Sequence, residues 1–147
     1  EKVETFIASG NVVFETKSKS MDAIIKKIET ELEKSLGYKV ATFIRTTNEL
    51  KTISEFKAFK DSDLNNENNY LYIGFLESSQ SKENQNKANA MQDSANEFHF
   101  IKTELYWLCR KNFSDSGIDG KKLEKVLGMN LTMRNSTTVR KMAAKFS

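Results

Sequence analysis

Residues Thr5 to Glu15, T-F-I-A-S-G-N-V-V-F-E, constrain the fold more than any other stretch. Two short apolar runs, Thr5-Phe6-Ile7-Ala8 and Val12-Val13-Phe14, flank the polar triplet Ser9-Gly10-Asn11. Gly and Asn adopt positive φ at little cost, so β-branched and aromatic residues on either side read as two strands and a tight turn. This hairpin is the first part of a core.

Beyond the hairpin the chain reads as an alternation of helices and strands. Ser20 is placed to cap a helix on which Met21, Ile24, Ile25, Ile28, Leu32 and Leu36 recur at helical spacing, and Gly37 ends it. Tyr38 to Arg45 reads as a strand. Thr46 with Glu49 gives a capping-box pattern for a short helix carrying Leu50, Ile53 and Phe56. Periodicity then fails, and Asn65-Asn66-Glu67-Asn68-Asn69 is low-complexity polar sequence, which places a link between halves at 61–69.

Tyr70 to Leu76 is apolar on both faces and reads as an interior strand. Ser81 to Ala95 carries a sparse helical stripe at Ala88, Met91 and Ala95. Glu97 to Lys102 and Glu104 to Lys111 read as paired strands, and Ser114 to Gly120 as a loop. Leu123, Val126 and Leu127 belong to a helix stopped by Gly128, Leu131 to Met133 to a brief strand, and Val139, Met142, Ala143 and Phe146 to a last helix. The expected class is α+β, with two tandem ferredoxin-like (split βαβ) halves, 1–60 and 70–147, the first lacking its opening strand and helix. In such a half the opening strand lies inside the sheet, so another chain or further N-terminal residues are expected to fill the gap.

Composition narrows the function classes. With 147 residues, one domain or two small halves can form. A net charge of +3, from 23 basic and 20 acidic residues, falls short of the one-signed excess of a dedicated nucleic-acid binder. A single cysteine, Cys109, forbids an internal disulfide and suits a reducing, cytoplasmic setting. No apolar run approaches the roughly 18 to 20 residues of a membrane helix, so no membrane partner is expected.

Several stretches taken together resemble a known family. Thr5 to Glu15, Lys122-Leu123, Leu127-Gly128 and Thr132 to Lys141 are similar to the bacterial domain-of-unknown-function family 1697. The match includes the Ser9-Gly10-Asn11 turn, Arg134-Asn135, and Thr138-Val139 with Lys141; the chain departs at Ser136-Thr137, where the family usually shows Trp-Asn. The resemblance implies tandem ferredoxin-like halves and no assigned activity. It also implies an opening strand and helix that precede Glu1, which fits a lost N-terminal stretch.

The chemistry-bearing residues offer one cluster above the rest. Lys121, Lys122, Lys125, Arg134, Arg140, Lys141 and Lys145 are opposed between them only by Glu124. Arg134-Asn135-Ser136-Thr137-Thr138 leads into the last helix, where backbone N–H groups and the helix dipole favour an anion. The plainer account makes Asn135 or Ser136 a helix cap, the lysines solvated, and Arg134 a partner of Asp119 or Asp115.

Other features point to no site. His99 has no second histidine for a metal site or triad and reads as a rim residue; Cys109 reads as a buried inert thiol. Asp115 to Gly120 matches neither a calcium loop nor a phosphate loop. Tyr70, Tyr72, Tyr106 and Trp107 lie on expected strands, but the aromatic signature of an RNA-binding sheet is missing.

The sequence therefore favours a small binding module for an anionic or phosphate-bearing ligand at Arg134, Asn135, Ser136, Thr137, Thr138, Arg140 and Lys141. Ser9, Gly10 and Asn11 form a second candidate patch. Neither a cofactor nor a metal is called for, and nucleic acid is a weaker partner than a small phosphate. The alternatives are an enzyme of unknown reaction with its site between the halves, using Asn11, Asn135 and nearby basic residues, and a protein-interaction scaffold.

Overall fold

A computed structural model describes residues 3–6, 11–110 and 117–146. The chain divides into two compact units, 1–44 and 45–147. In the first, β1 (Val3–Phe6) and β2 (Asn11–Phe14) pair antiparallel, with Val3 opposite Phe14 and Phe6 opposite Asn11. The expected hairpin is there; Ser9 and Gly10 of its turn lie outside the described residues. Helix α1 (Met21–Leu36) comes next. The Ser20 hydroxyl accepts from the Ala23 N–H at 3.3 Å, and Gly37, at φ 81°, donates its N–H to the Glu33 carbonyl at 2.8 Å. Ile24, Ile25, Ile28 and Leu32 are half-buried and Leu36 is exposed; no described side chain of 11–44 is fully buried.

One expectation fails here. Tyr38 to Arg45 forms no strand. A strand is stabilised only by a neighbouring ladder, and among the described residues β1 pairs with β2 alone. The Thr42 amide instead donates to the Glu29 carboxylate of α1 at 2.9 Å, a side-chain partner in place of a ladder bond.

The second unit holds the core. After α2 (Thr47–Glu55) and the one-turn α3 (Asp61–Leu64), the chain runs β3 (Tyr70–Leu76), α4 (Lys82–Asn89), β4 (Asn96–Ile101), β5 (Glu104–Cys109), α5 (Gly120–Leu127), β6 (Leu131–Asn135) and α6 (Ser136–Phe146). The strands form one open antiparallel sheet in the order β4-β5-β3-β6. The fold is α+β. The Thr46 capping box forms as read, Asn65 to Asn68 are exposed, and α3 occupies part of the stretch whose periodicity fails.

Both faces of the sheet are covered, which is why every residue of β5 is buried. Strand alternation sends Leu105, Trp107 and Cys109 to one face, where Ala88 of α4 and Leu123 and Leu127 of α5 pack on them. Tyr106 faces the other way, and its hydroxyl donates to the Ile53 carbonyl of α2 at 2.8 Å. Helix α2 packs along α6, and α6 lies on β3 and β6, burying Val139 and Ala143. Each large apolar side chain so buried contributes about 1.5–3 kcal/mol. Asn96, wholly buried, accepts from the Trp107 indole N–H at 2.9 Å and so satisfies it.

Candidate functional site

Strand β6 ends one edge of the sheet and runs without a loop into α6. Its pairing places Arg134 opposite Ile73, and therefore on the face covered by α2 and α6. The half-buried guanidinium donates through Nη1 to the Thr132 hydroxyl and to the Met133 carbonyl, both at 2.8 Å. Burial lowers its pKa from the usual arginine value, but a guanidinium stays charged at neutral pH. Asp119, one of its expected partners, accepts from the Lys122 N–H at 2.8 Å and caps α5; Asp115 lies outside the described residues.

The next residues take different roles. Asn135 is exposed, and its Oδ1 accepts from the Thr137 N–H at 2.9 Å, so it caps the helix as the plainer account has it. The Ser136 hydroxyl, buried, accepts from Arg140 Nη2 at 3.2 Å, one helical turn on. Thr137 is exposed and Thr138 half-buried. Lys141, also exposed, shares the helix face of Thr137. The junction thus gathers Arg134, Asn135, Ser136, Thr137 and Arg140 within one strand end and one helical turn.

The basic C-terminal third does not form one patch. Lys121, Lys122 and Lys125 ride on α5, which covers the Trp107 face, whereas Arg140, Lys141 and Lys145 ride on α6, which covers the Tyr106 face. The sheet separates them. Lys122 also donates to the Gly117 carbonyl at 2.7 Å. Asn11, from the second candidate patch, opens β2 opposite Phe6.

The remaining residues are mainly structural. His99 is exposed, its ring 5.6 Å from that of Phe56. Cys109 is a buried thiol outside any disulfide. Tyr106 and Trp107 are buried, half-buried Tyr72 packs against the core, and Tyr70 is exposed. Among the described residues, no three His, Cys, Asp or Glu side chains converge to hold a metal ion, and no helix is long and apolar enough to cross a membrane.

Concavities open on the second unit among the described residues. One, of about 480 Å³, lies at the C-terminal end of α5 between Glu77, Glu124, Lys125, Gly128, Met129 and Asn130. Another, of about 300 Å³, runs between α2 and α6 and is lined by Lys51, Ser54, Glu55, Arg140, Ala143 and Ala144. Lys51 and Ser54 were missed from the sequence because nearly ninety residues separate them from Arg140. The available signal was the i, i+3, i+4 spacing of Lys51, Ser54 and Glu55 on the polar side of α2.

The pattern of the family described as Protein of unknown function (DUF1697) matches residues 1–106, and the chain belongs to that family. No curated protein and no solved structure matches the chain. The family match ends before Arg134, so the β6–α6 junction lies outside it.

Proposed function

We propose that this DUF1697 protein is a small cytoplasmic binding module for an anionic or phosphate-bearing ligand, taken up at the β6–α6 junction. One observation carries the reading: a partly desolvated guanidinium, Arg134, is steadied by Thr132 and Met133 on the strand that runs straight into an eleven-residue helix. A charge in such a setting interacts more strongly with an anion than a solvated lysine does. Thr137 and Thr138 supply hydroxyls and Thr138 a first-turn amide, while the buried Ser136 hydroxyl holds Arg140 in place. Arg140 and Lys141 add positive field one turn further along.

The finer architecture belongs to the same proposal. The order β4-β5-β3-β6, with each helix crossing over one intervening strand, supports a ferredoxin-like plan for the second half. The β1–β2 hairpin followed by α1 supports the same plan in the first. The buried thiol of Cys109, in no disulfide, supports a reducing location.

Calorimetric titration with inorganic phosphate tests the function. Charge-assisted hydrogen bonds of about 1.5–3 kcal/mol each make an Arg134→Ala loss of about tenfold or more the expected result, with the unfolding transition kept. Equal phosphate affinity in the two proteins, or no heat of binding in either, overturns the assignment.

A further inference from the structure

We propose that the groove between α2 and α6 is the seat of the ligand body, and that the ligand is a small phosphomonoester carrying free hydroxyl groups. The inference rests on the anion-binding reading above and deepens it by naming the substrate class. Arg140 belongs to both places. It lines the groove and donates to Ser136 at the start of α6. Lys51 stands in the same lining, so two cations from different helices bound one concavity.

The floor and the rim divide the work. Ala143 and Ala144 give a shallow apolar floor, and Ala143 is itself buried. Ser54 is half-buried, and its hydroxyl hydrogen is committed to the Lys51 carbonyl at 2.8 Å. Its oxygen therefore meets a ligand as an acceptor. Glu55, in the same rim, is an acceptor as well. Two cations select a phosphoryl group, while two acceptors select the hydroxyl donors of a polyol. At about 300 Å³ the groove is at the small end of ligand cavities, a size that suits a sugar phosphate.

The test is calorimetric titration of the full chain with glucose 6-phosphate, glucose, inorganic phosphate and AMP. The expected result is glucose 6-phosphate binding about tenfold more tightly than inorganic phosphate, with glucose alone not bound. Lys51→Ala weakens glucose 6-phosphate about tenfold, and Ala144→Leu, at an exposed position on the floor, blocks it while the thermal unfolding curve stays in place. Equal affinities for glucose 6-phosphate and phosphate, preference for AMP, or normal binding by the Ala144→Leu protein overturns the inference. If Arg134→Ala weakens phosphate binding while Lys51→Ala and Ala144→Leu do not, the junction stands as an anion site and the groove assignment falls. If nothing binds the unaltered chain, both fall.

Discussion

Replacing Arg45 by Ala is expected to be the most damaging single change at any ion pair of the second unit. Arg45 Nε lies 2.9 Å from Glu104 Oε2, with the two side chains only 15% and 8% exposed. Arg45 Nη2 also donates to the Leu76 and Thr103 carbonyls at 3.2 and 3.1 Å, and the guanidinium sits 5.3 Å from the Phe75 ring centroid. Three charge-assisted bonds at about 1.5–3 kcal/mol would sum to roughly 4.5–9 kcal/mol. Nη2 is shared between two acceptors, however, and the partial exposure of Arg45 admits water. The better guide is the cost of leaving one buried charge without its partner, about 3–5 kcal/mol. After the substitution Glu104 keeps the Thr103 hydroxyl at 2.7 Å, which is too little for a carboxylate so enclosed.

Urea unfolding of Arg45→Ala, Glu104→Ala and the double variant measures this. The single Arg45 change should lower stability by about 3–5 kcal/mol, or the melting temperature by roughly 6 to 20 °C. The double variant should cost clearly less than the sum of the two. A loss below about 1 kcal/mol, the scale of a surface pair, would mean that water reaches Glu104, and the reasoning would be wrong.

The core gives three further expectations. Burial, and then the nearby Glu104 carboxylate, push the Tyr106 phenol above its usual range. Above about pH 10 the unfolded phenol releases its proton while the folded one retains it, so stability should fall with rising pH there; Tyr106→Phe should flatten that fall, read by unfolding across pH 9–11. Asn96→Ala strands the Trp107 indole N–H in a fully buried site and should cost about 1–3 kcal/mol, with a changed tryptophan emission. Gly128 caps α5 at φ 68° with open space where a Cβ would go, so Gly128→Ala should cost about 1–2 kcal/mol from backbone strain alone, read by thermal unfolding.

Much of the fold was legible because local chemistry decided it. Ser20, Gly37 and the Thr46–Glu49 pair bound their helices as read, since caps act through neighbours two to four residues away. Tyr70 to Leu76 was recognisable as interior because apolar residues on both faces require cover on both. Tyr38 to Arg45 misled because its composition suits a strand, whereas strand formation depends on a partner that composition does not specify. At the site, Asn135 as a cap and Arg134 at its head were legible. The division of the basic third by the sheet was not, because charge order along a chain says nothing about which face a crossover helix will cover. Lys51 and Ser54 were hidden for the same reason: only the packing of α2 on α6 brings them to Arg140.

The proposed anion site at the β6–α6 junction is tested most directly by amide NMR spectra recorded during titration with inorganic phosphate. Saturable shifts confined to residues 134–141 and the facing part of α2, with Arg134→Ala abolishing them, are the result this account predicts. Shifts spread evenly over exposed lysines, or shifts that survive the loss of Arg134, would contradict it.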